Sequence, residues 1–546
     1  MLHMSSNVAS IVVFSYCLFN LMSGSVDYVH DLYRDHELLS VCQRLCLLSY
    51  VTLNYTIILF ILDLYYNIGC SSAIPGLRTI PGYPVVGNLF QLGKSPALTF
   101  LKWSGKYGDI FQVRLGNKRV VVVNSYAAAT QLWVHNMSAN CSRPVTYTFH
   151  HIVSSSQGYT IGTTPWSENY IQMKKVASKA LNKPAIQTYS ELIDLESAEC
   201  IRNFSAAATR HQDVVVHPYF KAYSLNIGLT LNYGTRSTDP AVLGEIIFVE
   251  KQIGKFRGIF PNYLDYLPML QLLKFSARDA INCRQRRDVY MKNLLDQLKK
   301  EMAGGCFRSC ITGNILQDQE NTVSENQLRS ICLTMVSAGL DTIPAILIYF
   351  IGHMSQPYGQ RYQEIAYHIL MEQYKSGAEA WTRCLTDTPI PFVRALLTET
   401  LRVSSMPISL PRETIKEIHY NGVVIPKKTT LILNALATNF DETQYMSPFS
   451  FLPERFLHVR ENGQYSFKIS KGPLHFAFGA GKRMCAGAGL AEHELYVAAV
   501  RLLSQFKILA PDDPKDLMTT NPLEIFANQT SLVVDPPLFK VKLVVR

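Results

Sequence analysis

Ten residues near the C-terminus constrain this chain more than any other stretch: Phe478-Gly479-Ala480-Gly481-Lys482-Arg483-Met484-Cys485-Ala486-Gly487. They read F-x-x-G-x-R-x-C-x-G, five fixed positions that chance would place in a chain this long with a probability of roughly 10⁻⁴. A cysteine in such a loop has a definite physical use. The ligating form is the thiolate, so the loop must stabilise negative charge on sulfur. Gly481 and Gly487 let the backbone approach closely and adopt conformations other residues resist, so that N–H groups point at the sulfur. A helix beginning near Ala486 adds its positive end. Arg483 carries a planar fork that matches a carboxylate. The competing reading is an inert cysteine buried in a glycine-rich turn, and it weakens because other segments agree with the first.

Those segments lie upstream. Ala338-Gly339-Leu340-Asp341-Thr342 follows an apolar, helix-compatible run, and Pro344 stands two residues on, where a helix interior would kink. Read alone, Asp341 and Thr342 are as well explained as an N-cap pair at a helix break. Glu399 and Arg402 fall three apart, on one face of a helix marked by Leu396, Leu397, Thr400 and Leu401. By itself that pair is a weak signal, but Pro453-Glu454-Arg455-Phe456 comes after it. The set contains no P-loop, no H-E-x-x-H, no G-x-S-x-G and no flavin or nicotinamide fingerprint.

In this order and over about residues 75–540, the segments resemble the cytochrome P450 family. The resemblance implies a mostly α fold with a smaller β region toward the N-terminus. It implies haem b (iron protoporphyrin IX), with Cys485 as axial thiolate ligand of the iron in a loop shaped by Phe478, Gly481 and Gly487. Arg483, Arg412 (in SLPRET), His475 and Trp166 (in GTTPWSENY) are the implied partners of the haem propionates. The family's arginine four residues after the tryptophan is Tyr170 here, with Lys174 and Lys175 one turn on. Glu399, Arg402 and Arg455 are implied to form a buried structural network. Gly339 would leave room for O₂, and Asp341 and Thr342 would relay protons to it. Electrons would come from NADPH through a separate membrane-bound reductase carrying FAD and FMN, docking on the face near Cys485.

Leu45–Leu62 contains no charged residue and is long enough to be read as a membrane-spanning helix. Arg78, Lys94, Lys102 and Lys106 lie beyond it, which favours a cytosolic catalytic domain. The expected organisation is an extension of doubtful status over 1–38, an anchor over 39–66 with its span at 45–62, a proline-rich hinge over 67–90 and a catalytic domain over 91–546. This predicts a single-pass protein of the endoplasmic reticulum membrane. Val8–Met22 is a second, shorter apolar run that lacks a basic flank. It reads as a second span, a signal-like segment or the product of a misplaced start site. Net charge is +10 without a long basic run, which argues against nucleic acid as a partner. The twelve cysteines show no C-x-x-C pairing and read as reduced thiols. Val120–Val123 predicts a strand, and 421–434 a hairpin.

Residues 148–166, 180–189, 337–342 and 483–495 look closest to fungal phenylacetate hydroxylases and to m-cresol-type small-phenol hydroxylases of polyketide pathways. The implied substrate is therefore a small aromatic, hydroxylated on an arylacetate ring or on a cresol-type methyl group, in secondary metabolism or aromatic catabolism. Pocket candidates are Phe149, His150 or His151, Ile343, Met406, Ile408 and Phe526. The alternatives are a haem-thiolate isomerase or dehydratase, against which Asp341 and Thr342 argue, and a haem-based sensor, which needs no proton relay.

Overall fold

The structure is a computed structural model. It describes residues 36–69, 72–209, 212–258, 262–272, 277–306, 308–318, 323–461, 463–470, 472–528 and 531–546. The apolar run Val8–Met22 lies outside the described residues. Two compact units are distinguished: residues up to 72 with 81–90 and 114–119, and the remainder. The first holds helix α1 (His36–Gly69). Its apolar window Arg44–Leu64 has none of its surface buried, so α1 is a candidate membrane span. At the polar end of that window Asp63 pairs with Arg114 at 2.7 Å and accepts from the Val85 N–H at 3.1 Å.

The second unit is predominantly helical. The helices that build its site are α2 (Glu168–Ala180), α3 (His217–Tyr233), α4 (Pro240–Lys255), α5 (Glu325–Met354), α6 (Pro391–Ser404) and α7 (Ala488–Gln505). α5 is apolar enough to cross a membrane, but 67% of its apolar window is buried, which makes it the core helix. A reciprocal cap starts it: the Ser324 hydroxyl accepts from Gln327 N–H at 3.3 Å, and the Gln327 side chain accepts from Ser324 N–H at 2.8 Å. α5 continues through Pro344, so Asp341 and Thr342 are mid-helix and not an N-cap pair. α3 packs antiparallel along it through residues one turn apart. The Asn232 amide donates to Cys332 O at 3.0 Å, and the Ser224 hydroxyl donates to Gly339 O at 2.9 Å. Gly228, between them, has no side chain to hold the helices apart.

The main sheet joins β1 (Ile110–Leu115), β2 (Lys118–Val123), β3 (Ser409–Glu413) and a strand over Thr430–Asn434 in the order β1, β2, Thr430–Asn434, β3. The strand expected at Val120–Val123 is the core of β2. The hairpin expected at 421–434 does not form. Val423–Ile425 pairs antiparallel with Ile418–Tyr420, whereas Thr430–Asn434 runs parallel to β2 and antiparallel to β3. The turn between the two is held from outside. Thr414 donates its hydroxyl to Pro426 O at 2.7 Å and accepts from Thr429 N–H at 2.9 Å, and Lys428 adopts a positive φ of 65°. Half of the main sheet thus comes from residues 409–434, not from the N-terminal part of the chain.

Candidate active site

Cys485 opens onto a cavity of about 410 Å³ whose walls come from α2, α3, α5, the loop before α7 and a C-terminal segment at 531–533. The loop is fixed by backbone. Cys485 N–H donates to Phe478 O at 2.9 Å, and α7 begins three residues after the cysteine. Gly481 sits at φ 62°, and a Cβ there would stand 2.4 Å from the Trp133 carbonyl oxygen, so no other residue fits. Burial pushes the Cys485 thiol up, while the Gly487 N–H and the charge of Lys174 act the other way.

Beside the cysteine three guanidinium groups meet, and among the described residues none of them is in an ion pair. Burial takes Arg483 down to about 10, burial and then Arg483 take Arg143 to about 9, and burial and then both of these charges take Arg412 well below its usual range. Arg483 donates to the carbonyls of Cys141, Ile161, Gly162 and Thr164. Arg143 donates to Gly162 O at 2.8 Å and to Pro411 O. Arg412 is 1% exposed, and its Nη1 has no partner. An orphaned guanidinium nitrogen in a cluster of like charges calls for an anion. A cofactor with two carboxylates next to a thiolate ligand fits this donor set, as haem does.

Of the four residues expected around the propionates, Arg483 lines the cavity, and Arg412, His475 and Trp166 do not. His475 does not line the cavity. Its Nδ1 accepts from Ala477 N–H at 3.1 Å, and burial, then the charge of Arg402, bring it down to about 4, so it is a neutral acceptor. Trp166 also lies off the wall, half-buried under Lys482, because Tyr170 takes the wall position and stacks on Arg483 at 3.8 Å. Arg143, which no motif marked, brings the cation absent at position 170. Lys174 lines the cavity and donates to Lys482 O at 2.6 Å.

Opposite, Gly339, Asp341 and Thr342 line the wall on α5. The Thr342 hydroxyl donates to Ala338 O at 2.9 Å, which leaves its oxygen lone pairs free to accept. Burial and then the charge of Glu250 push the Asp341 carboxyl up to about 6, against Arg257. Of the pocket candidates, Ile343 and Met406 are on the wall. Phe149 and His150 are not: Phe149 is 1% exposed in the core formed with α4 and α5, and His150 bonds to Thr146 and Thr163. Phe526 faces a second cavity with Tyr349 and His353, and Ile408 is buried with its N–H on Leu532 O. Leu532 and Val533 hold the wall position expected of Phe526. Arg257 and Glu494 were not foreseen; burial raises the Glu494 carboxyl to about 8 and keeps it neutral.

Glu399, Arg402 and Arg455 form a closed network away from the cavity. Glu399 holds Arg402 in two bonds of 2.7 and 2.8 Å, receives Arg455 at 3.2 Å and accepts the Leu452 N–H at 2.8 Å. The remaining Arg402 donors reach the carbonyls of Asn439, Pro448 and Ser450.

A family model, Cytochrome P450, matches residues 77–543. The chain is a cytochrome P450. Among its relatives, phenylacetate 2-hydroxylase of Emericella nidulans is 43% identical over 89% of this chain and 93% of its own length. The 3-hydroxyphenylacetate 6-hydroxylase of the same organism is 37% identical, over 87% and 90%. A P450 monooxygenase of Mycosarcoma maydis is 34% identical, over 86% and 88%. This P450 is a haem-thiolate monooxygenase of fungal type, and its family implies the haem.

Proposed function

We propose that this P450 hydroxylates a small aromatic substrate, on the ring or on a ring methyl group, with electrons passed from NADPH by a separate FAD- and FMN-carrying reductase. The observation that carries this reading is its 43% identity to a phenylacetate hydroxylase across nearly the whole of both chains. Haem b, when bound, supplies oxygen activation, with the thiolate pushing electron density to favour O–O cleavage. The protein's own groups do the rest. Cys485 ligates, and Gly487 directs its N–H to the sulfur. Arg143, Arg412 and Arg483 would hold the propionates. Asp341 holds a proton at its carboxyl, and Thr342 passes it at Oγ1. Ile343, Met406 and Leu532 exclude water around the ring. α1, with residues 39–66, anchors the catalytic domain of 91–546 through the 67–90 hinge on the cytosolic face of the endoplasmic reticulum.

The test is product analysis by mass spectrometry. Membranes carrying the protein and a reductase receive NADPH with phenylacetate, 3-hydroxyphenylacetate or m-cresol. A ring-hydroxylated arylacetate places the enzyme in aromatic catabolism, and a hydroxymethyl phenol places it in secondary metabolism. No product from any of the three, with haem incorporated, overturns the small-aromatic reading.

A further inference from the structure

Arg257 follows α4 and reaches the cavity wall beside α5. Among the described residues it has no ion pair. Its one hydrogen bond is a long one, from Nη2 to the Ser337 hydroxyl at 3.5 Å, and its Nε is buried without a partner. The two nearest acids do not neutralise it by contact. Glu250 is 2% exposed and accepts the Tyr290 hydroxyl at 2.6 Å, and Asp341, one turn along α5 from Ser337, makes no ion pair with Arg257. One face of the guanidinium is covered by the Phe149 ring, 5.2 Å from its centroid, which holds the fork in place. Arg257 is partly buried and lines the cavity.

We infer that Arg257 and Ser337 form a carboxylate-reading pair, and that the substrate is an aromatic ring with a short, carboxylate-ended side chain, not a neutral phenol. This rests on the small-aromatic reading given above. A guanidinium stays charged in a protein and presents a rigid fork. Inside an apolar enclosure such a charge is costly until an anion meets it. A carboxylate entering there would take Nη–H groups of the fork, in the paired geometry that arginine favours. The Ser337 hydroxyl would then turn from accepting to donating. The placement also limits length. Ser337 precedes Gly339 by two residues and Asp341 by one helical turn, about 5.4 Å along the axis. An anion fixed at Ser337 therefore leaves the ring beside Gly339 and against Ile343 and Met406, which a long-chain acid could not do without folding back. A neutral phenol in the same cavity would leave Arg257 without its anion, so the site discriminates by leaving buried charge unpaired.

The experiment compares phenylacetate with its neutral isostere phenylacetamide on the haem-loaded, full-length protein. Binding is followed by the ligand-induced shift of haem absorbance, and turnover is followed separately. Arg257→Gln is expected to weaken phenylacetate binding on the order of 10- to 100-fold and to change phenylacetamide binding less than about 3-fold. Arg257→Lys, which keeps the charge but not the fork, should recover part of the loss. Ser337→Ala should cost phenylacetate about 3-fold. If Arg257→Gln does not load haem, the ratio of the two ligands is read in Arg257→Lys and Ser337→Ala. Equal losses for both ligands would make Arg257 only a countercharge to Asp341 and would overturn the inference. So would an unchanged phenylacetate affinity. If the unmodified protein hydroxylates small aromatics yet shows either result, the proposed function stands and the carboxylate reading falls. If it neither binds nor oxidises any small aromatic, both fall.

Discussion

Two groups of buried arginines sit in this P450, and they are built on opposite plans. In the network of Glu399, Arg402 and Arg455, charge is answered by charge, and the remaining Arg402 donors reach backbone carbonyls. In the cluster of Arg143, Arg412 and Arg483, three cations gather with no ion pair among the described residues and one nitrogen is orphaned. The first is complete as the chain folds. The second is unfinished without a dianion. A closed network of buried charge serves the fold, and an open one serves a ligand.

The largest effect should come from opening the closed network. Glu399→Ala would strand Arg402 in an interior where both side chains are 0% exposed, costing about 3–5 kcal/mol. The expected result is loss of soluble folded protein, and an unfolding midpoint equal to the parent's would break the comparison. Next is the reverse experiment. Arg412→Leu removes an uncompensated charge, so the haem-free protein should unfold no earlier than the parent. Haem retention in a transfer assay should fall on the order of 10- to 100-fold. A drop in haem-free stability would show that Arg412 belongs with the structural arginines instead.

A third, smaller effect concerns the wall between the two. Asp341 is an acid raised to about 6 by burial and Glu250, so it is protonated below that pH and ionised above it. Product formed per NADPH should fall as pH rises through about 6, and the inflection should vanish in Asp341→Asn. In Thr342→Ala the same ratio should drop several-fold at every pH, with hydrogen peroxide in place of product; unchanged coupling would remove Thr342 from the relay. The smallest effect should be Lys174→Met, which subtracts one half-buried cation near Cys485. About a 2-fold loss in haem retention is expected, since the three arginines remain.

The sequence made legible whatever is carried by local spacing. Cys485 and its glycines, the mid-helix Asp341–Thr342 pair and the Glu399–Arg402 turn all depend on residues within a few positions of each other. Misplacements arose where distant strands or helices decide. Val423–Ile425 and Thr430–Asn434 are close in sequence but belong to different sheets, because their partners lie elsewhere in the chain. Phe149 and His150 are aromatic residues in a loop-like context, yet both are buried, and Phe149 is drawn into the core with α4 and α5. Arg143 and Arg257 carry no motif at all. The only sequence signal for Arg143 is that the cation missing at Tyr170 had to be supplied from somewhere, since buried propionates need donors.

The position of Gly481 against the Trp133 carbonyl, with the Arg483 bonds to Cys141, Ile161, Gly162 and Thr164, sews together stretches more than 300 residues apart. A ribosome releases those stretches far apart in time, and domains take shape as the chain emerges. The cysteine that will hold the iron is made more than 300 residues after Trp133 and Cys141. The cradle for the cofactor cannot exist until the chain has been made through Gly487, so haem is acquired late, by a polypeptide whose apolar α1 left the ribosome long before. Supply of the cofactor then governs how much of an already synthesised pool matures, and a chain truncated just short of Phe478 would retain the anchor and most of the helices while having nothing with which to ligate iron.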